Sequence, residues 1–169
     1  KIIEQPDAKP ISSFNESIRF NNVCFAYEDK TILNNINLVI PKGKTIAVCG
    51  SSGAGKSTLV DLLPRFYDVN KGKILIDGID IRYLKTDDLR SLFGIVSQES
   101  ILFNDTIFNN IAFGLKEAKI EQVVEATKIA NIYSFITELE EGFDTIVGDR
   151  GIKLSGGQKQ RISIARAIL

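Results

Sequence analysis

The sequence has no excess of charge of either sign, because 21 lysine and arginine residues balance 21 aspartate and glutamate residues. A chain without net charge has no long-range field that would attract nucleic acid or an anionic membrane surface. Any partner must therefore be recognised locally, and no nucleic-acid partner is expected.

Long apolar runs and cysteines are also scarce. No run approaches the roughly 20 residues needed to span a bilayer, and the first residues do not form a signal peptide. These residues by themselves are expected to be soluble. The two cysteines, Cys24 and Cys49, have no spacing typical of a disulfide framework or a metal cluster, which favours buried free thiols.

Methionine and histidine are absent altogether. The lack of any methionine suggests a part of a longer chain. Residues 1–16 are polar and contain prolines, as a linker from a preceding domain would. The total of 169 residues fits one domain or most of one.

The sequence does contain one complete phosphate-binding motif, Gly50-Ser51-Ser52-Gly53-Ala54-Gly55-Lys56-Ser57. An apolar run, Thr45–Cys49, precedes it, and leucines at helical spacing follow, so strand, loop and helix occur in the required order. Glycines let backbone N–H groups turn inward around a phosphate, while Lys56 contacts the β- and γ-phosphates and Ser57 ligates Mg²⁺. The expected ligand is a Mg-nucleotide. A glycine-rich turn that carries a lysine by chance is the alternative, which this context disfavours.

Residues before and after this loop alternate in polarity as antiparallel strands do. The alternation over residues 18–27 slips by one position at Asn21-Asn22, as a bulge would, and a second alternating set covers Ile36–Ile40. A further strand is predicted at Lys73–Ile76, with a tight turn at Asp77-Gly78.

A short helix is predicted around residues 87–93. The apolar residues Gly94-Ile95-Val96 then predict a short buried strand, which would deliver Gln98 to the end of the sheet, where ligands are contacted in α/β folds.

From Thr106 onward the pattern predicts helices. Two core-facing stripes are expected, formed by Ile120, Val123, Val124 and Thr127 and by Ile132, Phe135, Ile136 and Leu139. A last helix follows, with Ser155 as its N-cap and with Ile164 and Ile168 facing inward.

Taken together, these motifs resemble the nucleotide-binding domain of ATP-binding cassette (ABC) transporters, from about Ile18 to the last residue. The phosphate loop matches the Walker A motif of that family, Gln98 its Q-loop and Leu154-Ser155-Gly156-Gly157-Gln158 its LSGGQ signature, and Tyr27 occupies the position of a ring that stacks on adenine. The resemblance implies an α/β fold: a P-loop NTPase core with an antiparallel β subdomain over residues 17–98 and a helical signature subdomain over residues 99–169.

The resemblance also implies ATP and Mg²⁺ as ligands. Lys56 and Gln98 would act in catalysis, and Ser57 and Gln98 would hold the metal. The ATP-contacting residues would be Tyr27, Gly50, Ser51, Ser52, Gly53, Ala54, Gly55, Lys56, Ser57 and Thr58. Ser155, Gly156, Gly157 and Gln158 would contact the ATP held by a second nucleotide-binding domain, so that two domains pair head to tail when ATP is bound.

Finer features resemble the lipid and multidrug exporters of that family, in which a membrane-spanning domain is fused ahead of the cassette. They are the linker, Arg65-Phe66-Tyr67-Asp68, Ile76-Asp77-Gly78 and the residues from Gln98 to Phe103. The resemblance then implies an ATP hydrolase at the cytoplasmic face of the membrane. One departure is Ile146, where exporters often have a glutamate.

In the family, the signature helix is followed by a strand with a Mg²⁺-binding aspartate and a catalytic glutamate, and then by a histidine near the γ-phosphate. Residues 1–169 contain no match to that strand and no histidine. The C-terminal part of the core is therefore expected to be absent, and these residues are expected to bind ATP without hydrolysing it efficiently.

Several alternatives stay open. Tyr27 could be an ordinary half-buried strand tyrosine, Gln98 a surface glutamine, and Lys159, Gln160 and Arg161 a solvated helix face. A soluble cassette ATPase of chromosome maintenance or DNA repair would insert a coiled coil between Gln98 and Ser155, but that interval shows no heptads. A regulatory cassette that binds ATP without turnover is the third possibility.

Overall fold

The computed structural model describes residues 2–115 and 117–169. The chain divides into two compact units, the first ending at Phe93 and the second spanning Gly94–Leu169. The first unit is built on an antiparallel sheet, and the second consists of helices and turns.

The sheet of the first unit has four strands in the order β2-β1-β3-β4. The strands are β1 (Ser17–Tyr27), β2 (Lys30–Pro41), β3 (Lys71–Ile76) and β4 (Ile79–Asp80). The central β1 pairs antiparallel with both β2 and β3. The strands predicted over residues 18–27, 36–40 and 73–76 and the turn at Asp77-Gly78 are thereby confirmed.

The predicted slip in β1 is also present. Phe20 lies opposite Leu38, but Val23 lies opposite Ile36, so β1 has one residue more than β2 between these pairs. Asn22 adopts a left-handed conformation there, with φ of 49°. The bulge keeps the side chains on both sides of it on the core face, since Phe20 and Val23 are both buried.

Two short helices, α1 (Lys56–Asp61) and α2 (Thr86–Ser91), and a 3-10 turn at Ile81–Tyr83 complete the first unit. Its core combines strand and helix side chains: Phe20, Val23, Phe25, Leu33, Leu62, Ile74, Ile76, Ile81, Leu84 and Leu89. The short helix predicted around residues 87–93 therefore exists, although it begins and ends slightly earlier.

Residues 2–16, which precede β1, are hydrogen-bonded to the rest of the first unit at several points. The backbone of Lys9 exchanges hydrogen bonds with Tyr83 and Lys85 at 2.8 and 2.9 Å. Further along, the Asp77 carboxylate accepts the N–H groups of Asn15, Glu16 and Ser17 at 2.7, 2.7 and 3.0 Å. Burial alone would raise the pKa of Asp77, but these donors and nearby Lys42 outweigh it and hold the pKa below its usual range.

Two strand predictions are wrong. Residues 45–49 and 94–96 have no regular secondary structure, and Ile46, Val48, Ile95 and Val96 are 40–51% exposed. An apolar run becomes a strand only where another strand accepts its backbone hydrogen bonds, and no strand in residues 2–115 or 117–169 pairs with either segment. The prediction of buried thiols fails with them, because Cys49 is exposed and Cys24 only partly buried.

The second unit contains α3 (Ile107–Ile111), α4 (Ile120–Ile129), α5 (Tyr133–Thr137) and α6 (Gly156–Ile168), with 3-10 turns at Gly142–Asp144 and Asp149–Gly151. Most of the expected core positions are confirmed. Val123, Thr127, Ile132 and Ile136 are at most 1% exposed.

Two of the predictions of core-facing residues are wrong. Ile120 and Ile168 are 45% and 42% exposed, whereas Ile162 and Ala165 of α6 are fully buried. Positions 162 and 165 lie three apart on the helix face that packs on α3 and α4, and Ile164 is partly buried against the same core, as predicted.

Candidate functional site

The phosphate-loop motif lies in the first unit between β2 and α1, and α1 begins at Lys56. Gly53 and Gly55 adopt left-handed conformations, with φ of 76° and 89°. A Cβ atom on Gly55 would lie only 2.9 Å from Ile32 and 3.0 Å from Leu33. The loop therefore needs glycine at position 55 both for its conformation and for its contact with β2.

Lys56 is folded back along this loop. Its Nζ donates hydrogen bonds to the backbone carbonyl oxygens of Gly50 and Ser51, at 3.0 and 2.8 Å. These bonds hold the ammonium group against the backbone of the loop. Ser57 is exposed, and the next residue, Thr58, is buried against the unit.

Tyr27, at the end of β1, belongs to a cluster of three aromatic rings. Its ring is perpendicular to those of Phe25 and Tyr67, with centroid distances of 4.8 and 5.2 Å. Perpendicular pairs at this distance are favourable because the positive edge of one ring meets the negative face of the other. Tyr27 remains 38% exposed, so part of its ring is open to a ligand.

These rings line an open cavity of about 410 Å³ in the first unit. Its other lining residues include Glu28, Phe66, Asp68 and Asn70. The cavity offers aromatic surface together with carboxylates and an amide, and its volume falls in the range of small-ligand sites.

Gln98 lies in the second unit, in an exposed segment without regular secondary structure. The segment is tied to the signature helix, because the Arg166 guanidinium donates to the carbonyl oxygens of Ile101 and Asn110 at 3.0 and 2.7 Å. Burial lowers the pKa of Arg166. Asn110 is fully buried. Its side-chain Oδ1 accepts the N–H of Phe103, and its Nδ2 donates to the carbonyl oxygen of Phe103.

The signature motif begins α6 in the second unit. Ser155 is the N-cap, as predicted: its Oγ accepts the N–H of Gln158 at 3.3 Å, and Gln158 Oε1 accepts the N–H of Ser155 at 2.7 Å. This capping box satisfies the N–H groups of Ser155 and Gln158. Gly156 and Gly157 are exposed, and a Cβ atom on either would meet nothing within 4 Å.

The structure thus groups the predicted site residues into two sets. Tyr27 and residues 50–58 belong to the first unit, whereas Gln98 and residues 154–158 belong to the second. Tyr27 ends β1, residues 50–58 lead into α1 and residues 154–158 lead into α6, whereas Gln98 lies in no regular element.

Sequence reasoning missed Tyr67 and Arg166 as members of these sets. Tyr67 appeared only within Arg65-Phe66-Tyr67-Asp68, where the aromatic pair directly after the phosphate-loop helix was an available signal. Arg166 had no local signal, because its partners Ile101 and Asn110 are far from it in sequence.

A cavity of about 450 Å³ lies along α4 and α6 in the second unit. It is lined by Glu121, Gln122, Glu125, Ala126, Ile129, Ile168 and Leu169 and includes no residue of the signature motif.

A phosphate loop with correctly placed glycines, lysine and serine defines a P-loop nucleotide-binding protein. Residues 33–169 match the ABC transporter family, and the chain belongs to that family. The resemblance inferred from the motifs is therefore confirmed, as is the fold class.

Among its relatives, the chain is 51% identical to the ATP-dependent lipid A-core flippase of Syntrophus aciditrophicus (strain SB), over 99% of this chain and 28% of that protein. It is 50% identical to the putative multidrug export ATP-binding/permease protein YgaD of Bacillus subtilis (strain 168), over 98% of this chain and 29% of that protein. A solved structure of a bacterial Atm1-family ABC exporter with ATP bound superimposes with a TM-score of 0.93 at 47% identity, over 99% of this chain and 30% of that one. The chain spans less than a third of the length of these relatives.

Within residues 2–115 and 117–169, no helix has the length and apolar character needed to cross a bilayer. The same residues contain no group of three or more histidine, cysteine, aspartate or glutamate side chains arranged to hold a metal ion.

Proposed function

We propose that this chain is the ATP-binding domain of an ABC exporter, and that in the full-length protein it couples ATP binding and hydrolysis to transport across a membrane. The single observation that carries the proposal is the geometry of the phosphate loop. Gly53 and Gly55 turn its backbone, and Lys56 Nζ is hydrogen-bonded to the carbonyl oxygens of Gly50 and Ser51.

The loop fits the triphosphate of ATP. Left-handed glycines direct neighbouring N–H groups to one side, which creates a concave surface of donors for an anion. The Lys56 ammonium is already within hydrogen-bond distance of the loop carbonyls, so it needs little movement to contact a phosphate oxygen. We assign residues 50–58 to the phosphates and Tyr27 to the adenine.

The same loop fits Mg²⁺. Ser57 is exposed at the start of α1, and a hydroxyl oxygen beside a triphosphate is a ligand that Mg²⁺ accepts. We propose that Ser57 and Gln98 hold the ion. When bound, Mg²⁺ neutralises charge on the β- and γ-phosphates.

We further propose that Ser155, Gly156, Gly157 and Gln158 contact the ATP of a second nucleotide-binding domain. The N–H groups of Gly156 and Gly157 lie in the first turn of a 13-residue helix with no side chain above them, which favours a phosphate there. Two domains would then pair head to tail with ATP between them. We also propose that a membrane-spanning domain is fused N-terminally and that this domain lies at the cytoplasmic face. The name of one relative, a multidrug export ATP-binding/permease protein, supports a permease part in the same chain.

Residues 1–169 alone should bind ATP but hydrolyse it slowly. Lys56 and Gln98 are the catalytic residues that we assign, and neither is a general base. Because positioned acid–base groups contribute about 10²- to 10⁴-fold, a polypeptide limited to these residues should lose a factor of that order relative to the full-length protein. A phosphate-release assay measures this. Turnover equal to that of the full-length protein would contradict the proposal.

Calorimetric titration of the full-length protein with Mg-ATP tests the binding site. Lys56→Ala should weaken binding about 10-fold or more, since it removes a charge-assisted contact to phosphate. Lys73→Ala, an exposed strand lysine, is the matched control and should leave the affinity unchanged. Absence of saturable Mg-ATP binding by a folded sample would refute the assignment.

A further inference from the structure

Tyr67 lies in the turn-containing segment between α1, which ends at Asp61, and β3, and a buried charge holds this segment in place. Arg65 is 1% exposed and adopts a left-handed conformation, with φ of 54°. Its guanidinium donates to both oxygens of Asp68, at 2.7 and 3.2 Å. It also donates to the backbone carbonyls of Arg82 and Ile3, at 3.3 and 3.2 Å.

A buried guanidinium with four acceptors cannot shift without losing charge-assisted hydrogen bonds, each of which is costly in a desolvated site. Because Arg65 and Asp68 lie on either side of Tyr67 in the sequence, these hydrogen bonds also fix the backbone that carries Tyr67. The residue before Tyr67, Phe66, is held as well. Its N–H donates to the backbone carbonyl oxygen of Asp61 in α1, and the Arg90 guanidinium lies 5.5 Å from the centre of its ring.

The Tyr67 ring reaches the two aromatic side chains at the end of β1. It is perpendicular to Tyr27 at 5.2 Å and tilted by 54° to Phe25 at 5.6 Å. Phe25 is 5% exposed and belongs to the core, whereas Tyr67 is 43% exposed and lines the cavity beside Tyr27. Tyr27 therefore has two perpendicular neighbours: Phe25 on its own strand, β1, and Tyr67 in the segment after α1.

From this geometry we propose that Tyr67 is a positioning residue for the nucleotide base. It holds the Tyr27 ring in the orientation that stacks on adenine, and the Arg65–Asp68 turn ties that ring to α1, which carries Lys56 and Ser57. The inference rests on the proposed function, because it requires the base to stack on Tyr27.

Contacts to the base and contacts to the phosphates can therefore be measured separately by comparing ligands with and without a base. Loss of the Tyr67 ring leaves the phosphate loop untouched but allows Tyr27 to leave its stacking orientation. The affinity for a nucleotide should fall, while the affinity for a triphosphate without a base should not. A role of Tyr67 in general stability would lower both affinities or neither.

The test measures binding of the Mg-bound β,γ-imido analogue of ATP and of Mg-tripolyphosphate to the full-length protein. Tyr67→Leu should weaken the nucleotide about 3- to 10-fold and change tripolyphosphate by less than 2-fold, as expected for one aromatic pair. Tyr67→Phe should bind like the wild type, because ring contact does not require the hydroxyl. The control Tyr83→Leu removes a ring that is 51% exposed and outside the cavity, and it should change neither affinity.

Tyr27→Leu separates this inference from the proposed function. If Tyr67 acts through Tyr27, adding Tyr67→Leu to Tyr27→Leu should cause no further loss of nucleotide affinity. If Tyr27→Leu weakens the nucleotide alone but Tyr67→Leu has no effect, or weakens both ligands equally, the role of Tyr67 is refuted and the proposed function stands. If Tyr27→Leu itself has no effect, the base-stacking assignment fails and the role of Tyr67 fails with it.

A folding defect is recognised by loss of tripolyphosphate binding together with a lower unfolding temperature. Should Tyr67→Leu show this defect, Tyr67→Gln supplies the decisive variant, since it keeps a planar polar group at this partly exposed position without an aromatic ring. Wild-type nucleotide affinity in Tyr67→Gln would overturn the proposal.

Discussion

The phosphate loop and the signature motif are both rich in glycine, yet the two motifs use glycine for different reasons. In the phosphate loop, Gly53 and Gly55 have φ of 76° and 89°, conformations that other residues adopt only at a cost. In the signature motif, Gly156 and Gly157 belong to the regular helix α6, where any residue could adopt the backbone conformation.

What the signature glycines provide is open space. A Cβ atom on either would meet nothing within 4 Å, whereas one on Gly55 would press against Ile32 and Leu33. Glycine at position 55 is therefore required by the fold of its own unit, whereas the described residues around positions 156 and 157 leave room for a larger side chain. This contrast teaches that the same residue type can be fixed by internal packing in one motif and be free of that constraint in another.

The two units also differ in the side chains that bind their backbones. In the first unit, the Asp77 carboxylate accepts three N–H groups and the Arg65 guanidinium donates to two carbonyl oxygens. The start of the signature helix is instead held by the neutral pair Ser155 and Gln158. Acid should therefore weaken the contacts of Asp77 and leave those of Ser155 unchanged.

The largest effect is expected for Gly55→Ala. A left-handed alanine costs about 1–2 kcal/mol, and forcing a methyl group against β2 adds about 1–3 kcal/mol, so the free energy of unfolding should fall by roughly 2–5 kcal/mol. Denaturant unfolding measures this.

Gly53→Ala is the matched control, because its Cβ would meet nothing within 4 Å and only the conformational cost of about 1–2 kcal/mol applies. Equal losses in the two variants would show that contact with β2 is not what requires glycine at position 55.

A smaller, pH-dependent effect is expected for Asp77→Asn. The folded pKa of Asp77 lies below its unfolded value, so its charge stabilises the fold above the ordinary carboxyl pKa of about 4 and ceases to do so as the pH falls through the lower, folded value. Asn should cost about 1 kcal/mol at pH 7, discounted for partial exposure, and progressively less as the pH falls below 4.

Unfolding of Asp77→Asn and of Ser155→Ala at several pH values provides the comparison. The loss of the Ser155 cap, about 1 kcal/mol, should be the same at every pH because the serine hydroxyl does not titrate. A pH-independent loss at Asp77 would contradict its role as a charged acceptor.

The smallest effect on the fold is expected for Gly157→Ala. Alanine is preferred over glycine inside a helix by about 1 kcal/mol, so the unfolding temperature should stay constant or rise slightly. ATP-dependent pairing of two domains should nevertheless weaken, because the new methyl group occupies the open space above the first turn of α6.

Sedimentation of the full-length protein or of its paired domains with Mg-ATP measures this pairing. An exposed position on another helix, Glu121→Ala in α4, is the control and should leave pairing unchanged. Unchanged pairing in Gly157→Ala would remove these N–H groups from the proposed contact.

Much of the fold was predictable because its signals are local. Alternation with a one-residue slip predicted β1 and its bulge, since a strand has a period of two and one extra residue must be absorbed. The N-cap at Ser155 was predictable in the same way, because its partner Gln158 lies three residues away. The site assignments of Tyr27, Gln98 and the ATP-contacting residues came from motif spacing and stay predictions.

The errors arose where an element depends on a partner. Thr45–Cys49 and Gly94–Val96 have strand composition, but composition does not supply the neighbouring strand that accepts their hydrogen bonds. Ile168 was misplaced for a related reason: it is as apolar as Ile162, and only packing against α3 and α4 decides which of them is buried.

By itself, the sequence determined the motifs in which a few consecutive residues contain the whole chemistry, namely the phosphate loop and the capped signature helix. Tertiary structure alone decided that Tyr67 meets Tyr27, that Arg65 is buried beside the carbonyl of Ile3, and that Arg166 binds Asn110. The physical reason is that such contacts join residues far apart in the chain. They form only where packing brings two elements within a few ångströms, and no periodicity or spacing in the sequence encodes that distance.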